Sequence, residues 1–464
     1  MEPITLREIV EAVHGKLLGS FRNLNVLVNS VDTDSRTMSQ GALFVPLVGE
    51  RFDGHTYIAK ALQSGAAGTL TAVELNHYDP EKFYIKVEDT TLALGDLARY
   101  YRHKFQVKVV GVTGSVGKTT TKDMIAAVLS ERFRVLKTEG NFNNNIGVPK
   151  TLFRLDSQHE VAVVEMGMNH LGEIDYLTKI VCPDVAVITN IGDAHIENLG
   201  SRENTLRAKS EIFNSMTGKG AAVLNGDDPL LRTLEGKLRQ QIMWYGAEEG
   251  NTFRCVSLDE NYDDHMVMEV KAPQDSWKQT IPGLGGYMIY SVLSASAVGS
   301  WLGMTTEEIR RGVTAFVPTR MRMDIIHRGE GITILNDTYN ANPQSMRAAV
   351  DVLSKFSGGK RIAVLGDMLE LGSLGPTLHE GVGRFVGQCG IDILIAVGDL
   401  AENIYNGAAE YPGTECYTRP TKEEAKAVLD QVVKPGCTVL CKASRGMKME
   451  ELVEYIKTIT SEKE

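Results

Sequence analysis

Val109-Val110-Gly111-Val112-Thr113-Gly114-Ser115-Val116-Gly117-Lys118-Thr119-Thr120 is the stretch from which the rest of the chain can be read. A β-branched run meets a glycine-rich turn, and a helical pattern follows with apolar residues at Met124, Ile125, Val128 and Leu129. Strand, glycine turn and helix in that order form one unit of a parallel α/β sheet. In such a turn backbone N–H groups close around phosphate oxygens, and the helix N-terminus adds partial positive charge. Lys118 is suited to meet β- and γ-phosphates, and the Thr119 hydroxyl to reach a magnesium ion. The strict phosphate-loop pattern wants glycine where Val112 stands, whereas glycine occurs at 111 and 114. The competing reading is a glycine-rich strand–helix turn with no nucleotide. The Gly-Lys-Thr-Thr ending in this setting favours the nucleotide.

The same grammar recurs along the chain. Apolar runs at 107–110, 362–365 and 391–397 each precede a glycine (Gly111, Gly366 and Gly398). Runs at 161–164, 185–188 and 221–224 predict further strands beside the first, and alternation over 252–281 predicts antiparallel strands. Residues 291–302 are small, apolar and helix-like. The first hundred residues differ, with a strand expected at 42–48, a helix at 56–63, and a polar linker at 96–106. Phe316-Val317-Pro318-Thr319 marks a second break, because proline disfavours helix continuation. Beyond it a new strand–helix series begins, with strands at 332–335, 362–365, 391–397 and 438–440. The expected fold is α/β in three domains: a small α/β domain over 1–104, a phosphate-loop domain with a parallel sheet over 105–317, and a doubly wound domain over 318–464.

Composition agrees. A chain of 464 residues exceeds what one hydrophobic core sustains, and about three domains are expected. Hydrophobic content of 43% and charged content of 23% exclude wholesale disorder. No uninterrupted apolar run reaches the roughly 18 residues of a membrane span. The opening Met1-Glu2-Pro3-Ile4 is no signal peptide, so a cytoplasmic protein is expected. The six cysteines are scattered and include no Cys-x-x-Cys pair, which argues for buried thiols rather than disulfides or structural zinc. A net charge of −10 with no basic block argues against a nucleic-acid partner.

A nucleotide site needs a metal ligand. The run Val161-Ala162-Val163-Val164-Glu165 ends in a carboxylate, at the end of a parallel strand that faces the phosphates. The run from Ile188 through Thr189-Asn190-Ile191-Gly192-Asp193 brings His195 to the same edge. Lys209, in Arg207-Ala208-Lys209-Ser210-Glu211, reads on composition as a solvated helix lysine.

Taken together, the Thr113–Thr120 loop, Glu165-Met166-Gly167, the His195 loop and Lys209 resemble the Mur ligases, the ATP-dependent amide-forming enzymes of peptidoglycan precursor synthesis. The resemblance covers nearly the whole chain. Asn336-Asp337-Thr338-Tyr339-Asn340-Ala341-Asn342-Pro343-Gln344-Ser345-Met346, Asn141 through Pro149, Gly366 through Gly372, His379 and Lys442 through Met447 look like the branch that adds D-alanyl-D-alanine to UDP-N-acetylmuramoyl-tripeptide. Asp34-Ser35-Arg36, Gly41 through Val45 and Asp53-Gly54-His55 look like its uridine-nucleotide domain.

What the resemblance implies is specific. Thr113, Gly114, Ser115, Val116, Gly117, Lys118, Thr119, Thr120 and Asn340 would bind ATP. Lys118, His195, Lys209 and Arg322 would serve the reaction, and Thr119, Glu165, His195 and Lys209 would bind one or two magnesium ions, two being expected. Lys209 would be carbamylated. Ser35, Arg36, Asp53, His55, Asn143, Asn144, Ser444 and Arg445 would hold the UDP-muramoyl-tripeptide and the dipeptide, and a monomer is expected. One segment departs from the family: Gly285-Gly286-Tyr287-Met288-Ile289-Tyr290-Ser291 carries Tyr287, Met288 and Ser291 where a histidine and two asparagines usually contact the adenosine. Two readings of Tyr287 stand, a ring that stacks on the base and a core tyrosine, and the second is preferred. The rival readings are a folylpolyglutamate-synthetase-like amide ligase, which lacks the uridine-nucleotide segments, and a nucleotide-binding switch, for which no Asn-Lys-x-Asp guanine motif is found.

Overall fold

A computed structural model describes residues 1–49, 52–193, 196–216, 218–261 and 265–459. Its largest sheet has nine strands, in the spatial order Val135–Lys137, Val161–Glu165, Lys108–Thr113, Val185–Ile188, Ala221–Asn225, Gln241–Gly246, Phe253–Asn261, His265–Lys271 and Ser276–Pro282. The first seven pair in parallel and the last two join antiparallel, as the change from continuous to alternating apolar pattern predicts. Alternate residues of the central strands enter different cores. Val110, Val112, Val161 and Val163 pack on one face, and Val109, Ala162 and Val164 on the other. Burial of both faces is why these segments carry no polar alternation.

One face is covered by the helices Lys118–Ser130, Met288–Trp301 and Thr306–Thr314, and Gly312 lets two of them touch. A Cβ there would lie 2.4 Å from Val128 Cα. The other face shares a continuous core with the first hundred residues, through Leu94, Leu97, Ala98 and Tyr101. Those four belong to a helix, Thr90–His103, where a polar linker was expected over 96–106. Asp96 and Arg99 sit on its outer face, and the buried stripe is spaced three to four residues apart, which local polarity conceals. Asp89 caps the helix by accepting from the N–H groups of Thr91 and Leu92.

The N-terminal sheet has five strands, ordered Lys16–Leu18, Phe83–Lys86, Gly68–Thr71, Leu43–Phe44 and Val31–Asp32. The single strand expected at 42–48 is instead Leu43–Phe44 followed by a separate pairing at Val48–Gly49. Pro46 lies between them and supplies no N–H for a ladder. Gly111, expected to end its strand, lies within it; its bare Cα accommodates Met166, whose Cε would be 2.7 Å from a Cβ.

The C-terminal sheet has six strands, ordered Asp324–His327, Thr333–Asn336, Thr438–Lys442, Arg361–Gly366, Ile393–Val397 and Glu415–Arg419. All its pairs are parallel except the first. Apolar cores on both its faces make it doubly wound.

Candidate active site

The chain leaves Lys108–Thr113 toward Val135–Lys137 and Val161–Glu165 on one side, and returns to Val185–Ile188 on the other. The order reverses there, and a ligand crevice opens at the C-terminal ends of strands at such a switch point. Those strand ends carry the phosphate loop, Glu165, and the Thr189-Asn190 pair. A cavity of about 700 Å³ lies over them, lined by Ser115 through Thr120, Asn143, Asn144, Glu165, Arg322, Asn340 and Arg445 among the candidate residues.

The loop is held from beneath. Gly114 has φ +150°, and a Cβ there would lie 1.9 Å from Thr189 Oγ1. Gly117 has φ +82° and turns the chain into the helix Lys118–Ser130. Ser115 N–H donates to the Asn190 carbonyl at 3.1 Å and Val116 N–H to Asn190 Oδ1 at 3.0 Å. Thr189 Oγ1 and Asn190 Nδ2 donate to the Val116 carbonyl at 2.6 and 3.0 Å. Thr189 and Asn190 are therefore supports absent from the expected set, although they stand in the run leading to His195. Thr113 is fully buried below the loop. Lys118 Nζ folds back onto the Gly114 carbonyl at 2.7 Å. Burial pulls its ammonium below the ordinary lysine range, Glu165 opposes the shift, and Arg322 adds to it.

Glu165 is 2% exposed. Its Oε1 accepts from Asn143 Nδ2 at 2.8 Å, while Oε2 is buried with no partner. A buried carboxylate oxygen is costly to leave bare. This orphan oxygen, with the Thr119 hydroxyl on the same cavity, fits a cation that is completed by phosphate oxygens. Among the described residues no group of three or more His, Cys, Asp and Glu side chains is placed to hold a metal alone. His195 lies outside the described residues.

Lys209 is 2% exposed, not solvated as its composition suggests. Burial and then Lys118 lower its pKa well below 10.5, which favours the neutral amine. Arg322 crosses from the C-terminal region: its Nη2 donates to Thr119 Oγ1 at 3.0 Å, and its guanidinium lies 4.0 Å from the Tyr339 ring centroid. Its Nε is buried without a partner. Tyr339 is a third support absent from the expected set, within the Asn336–Met346 run.

The remaining candidates are placed unevenly. Asn144 Oδ1 accepts from the N–H groups of Ile146 and Gly147, and so holds the turn that leads into the helix Gly147–Leu152. Asn340 is exposed at the cavity, and its Oδ1 accepts from Ala341 N–H. Arg445 pairs with Glu450 at 2.8 Å, and Ser444 is buried, accepting from Leu369 N–H at 2.9 Å. Ser35, Arg36, Asp53 and His55 do not line this cavity. Arg36 closes on Asp34 at 2.7 Å. His55 accepts from Ala72 N–H at Nε2, which leaves Nδ1–H to donate to Asp53 at 2.6 Å. A smaller cavity of about 290 Å³ runs beside Asp34, with Lys150 and Arg154 on its other wall. Tyr287, expected in the core, is 36% exposed and lines the main cavity, its ring packed over Gly285, where a Cβ would lie 2.4 Å from Cε1. Ser291 instead hydrogen-bonds Thr121 at 3.1 Å and ties two helices together.

A phosphate loop at a sheet switch point, with a buried strand-end carboxylate and an arginine arriving from the turn that leads into the neighbouring sheet, defines a nucleotide-using enzyme of the P-loop type. The chain matches the Mur ligase family catalytic domain over residues 27–102, the Mur ligase middle domain over 112–299, and the Mur ligase glutamate ligase domain over 321–445. It is 39% identical over 453 residues to the UDP-N-acetylmuramoyl-tripeptide--D-alanyl-D-alanine ligase of Bacillus subtilis, covering 97% of each chain. A crystal structure of MurF from Acinetobacter baumannii superposes with a TM-score of 0.91 at 33% identity, covering 98% of this chain and 99% of that one. The MurF ligase of Thermotoga maritima in complex with ADP matches with a TM-score of 0.84 at 30% identity, over 92% and 97% of the two chains. The chain belongs to the Mur ligase family.

Proposed function

We propose that this protein is an ATP-dependent ligase that adds D-alanyl-D-alanine to UDP-N-acetylmuramoyl-tripeptide in peptidoglycan precursor synthesis. Full-length similarity to ligases of that name supports the reaction. The observation that carries the chemistry is the meeting of Arg322, before the strand Asp324–His327, with Thr119 on the phosphate-loop helix, beside a cavity that also holds an unpartnered Glu165 oxygen. The three segments 1–104, 105–317 and 318–464 are read as units for the uridine nucleotide, for ATP, and for the dipeptide.

A carboxylate is a poor electrophile. ATP transfers its γ-phosphoryl group to the tripeptide carboxylate, giving an acyl phosphate and ADP. The dipeptide amine attacks the acyl carbon, a tetrahedral intermediate forms, and its collapse expels inorganic phosphate and leaves the amide. The loop N–H groups and Lys118 bind the phosphates. Arg322 faces the charge that builds on the transferring group, and its stacking on Tyr339 limits how far it can stray. Thr119 and Glu165 would hold magnesium, which neutralises phosphate charge when bound. Asn143 orients Glu165. Lys209 is read as the carbamate-bearing lysine: its burial supplies the neutral amine that addition to carbon dioxide requires. Asn340 and Arg445 line the open side, where nucleotide and dipeptide would lie, and Ser444 braces the loop at Leu369. His195 keeps the role that the family resemblance implies.

The test is phosphate release with ATP, D-alanyl-D-alanine and a panel of UDP-muramoyl peptides. Release with the tripeptide alone is expected; release with folate and glutamate would select the rival ligase. Lys118→Ala should lower kcat by at least about 10²-fold in a chain that stays folded. Unchanged turnover in that variant would remove the assignment of the phosphate loop.

A further inference from the structure

Arg322 is flanked by two non-glycine residues in the left-handed region, Met321 at φ +63° and Met323 at φ +54°. A side chain in that region is strained, and the conformation persists only where surrounding contacts over-determine it. Both ends of the turn are pinned by a carboxylate. On the C-terminal side, Met323 N–H donates to Asp337 Oδ1 at 3.2 Å, and Lys442 Nζ donates to Asp337 Oδ2 at 2.6 Å. On the N-terminal side, Thr319 Oγ1 donates to Asp123 Oδ2 at 2.8 Å, and the Thr319 carbonyl accepts from Arg322 N–H at 3.2 Å. Asp337 directly follows the strand Thr333–Asn336 of the C-terminal sheet. Asp123 stands on the phosphate-loop helix itself, with Lys118 and Thr119.

Asp123 is 7% exposed, and its charge is met by Lys137 at 2.7 Å and Lys122 at 3.3 Å. Lys122, 2% exposed, donates to the Thr138 carbonyl at 2.7 Å, and Thr138 Oγ1 accepts from Glu165 N–H at 3.0 Å. Both cations meet Oδ1 and balance the charge there, whereas the Thr319 hydroxyl is the donor that meets Oδ2. What the Thr319 bond adds is a link between the helix that cradles phosphate and the turn that presents the arginine.

We infer that Asp123 and Thr319 are positioning residues, which hold the strained Met321–Met323 turn so that Arg322 is aimed at the phosphate loop. The inference rests on the ligase reading above. Because the anchor is on the same rigid helix as Lys118, the distance from Arg322 to bound phosphate is set within one body. A small misplacement of such a group weakens chemistry more than binding.

Thr319→Val removes the hydroxyl and keeps the shape. In the full chain it should lower kcat for ATP- and dipeptide-dependent phosphate release about tenfold, with KM for both within about twofold. Thr319→Ser should restore kcat. In an Arg322→Lys background the same change should cost little more, since both act on one group. Amide hydrogen exchange over residues 321–323, read by mass spectrometry, should speed up in Thr319→Val, and this readout needs no turnover. A kcat within twofold of the parent overturns the inference, as does a loss that adds fully to that of Arg322→Lys, or unchanged exchange. If the unmodified protein shows no turnover, the ligase reading fails, and exchange alone decides whether the anchor exists.

Discussion

Lys209 sits on the helix Arg202–Ser210, whose residues are almost all polar, yet its side chain is among the largest that are fully buried. Among the described residues its ammonium has no hydrogen bond or ion pair. The unfolded chain binds this proton more tightly than the folded one, so folding is opposed at every pH below the ordinary value of 10.5. Lys209→Met should therefore raise the melting temperature in bicarbonate-free buffer, by an amount corresponding to about 1 kcal/mol or more, while phosphate release is lost. A melting temperature below that of the parent would contradict this. Composition read this lysine as solvated, because polar neighbours along a helix say nothing of what packs against it. Glu165 was easier to foresee, since a carboxylate ending an apolar strand has few places to point. Arg36, Asp53 and His55 were also foreseen as candidates, but each is engaged with a partner within two residues. Their motifs are legible, whereas how they present to a ligand depends on the loop around them.

Two contacts between elements can be tested by stability. Thr5 and Glu8 form a capping box at the start of the helix Leu6–Ala12, and Glu8 also pairs with Lys104 at the end of Thr90–His103. Burial alone would raise the Glu8 pKa, but Lys104, Thr5 and Tyr100 outweigh it and hold it down to about 2. A depressed carboxyl stabilises the fold above its unfolded value of 4.5, and loses that effect as pH falls toward 2. The pair is partly exposed and screened, so Glu8→Gln should cost about 1 kcal/mol at pH 7. Chemical unfolding should show the difference from the parent shrinking below pH 4.5 and vanishing near pH 2. Gly312 marks the second contact. Its helix approaches Val128 too closely for any side chain, and Gly312→Ala should destabilise by about 1–3 kcal/mol despite its better helix propensity. Stabilisation would show that the two helices can separate freely. Neither contact was visible locally: a glycine in a helix reads as a weakness until the neighbouring helix is in place.

Across the whole molecule, the C-terminal region meets the phosphate-loop region at several points. Arg322 reaches Thr119, Thr319 reaches Asp123, and Lys355, at the C-cap of the helix Pro343–Ser354, pairs with Glu260 at 2.7 Å and with Asp351 of its own helix at 3.1 Å. Those two carboxylates push the Lys355 ammonium above its ordinary range against the opposing effect of burial. A compact chain of this length has a radius of gyration of about 23 Å. Lys355→Glu places like charges together across this interface and should raise the substrate-free radius in solution scattering by about 1 Å or more, with ATP and substrate restoring part of the difference. An unchanged profile would mean that the pair does not hold the two regions together.

The α/β class, the switch from parallel to antiparallel strands, the phosphate loop and the carboxylate behind it are legible before any folding, because each is written in neighbouring residues through apolar period, glycine and a strand's end. Packing of distant segments is what makes a polar-looking helix fill the interface beside the first sheet, buries Lys209, turns Tyr287 to the cavity, and pins the strained turn of Arg322 to Asp123 on the phosphate-loop helix and to Asp337 after a strand of the C-terminal sheet. These depend on residues far apart in the chain, whose mutual burial and pairing exist only once the sheets have packed.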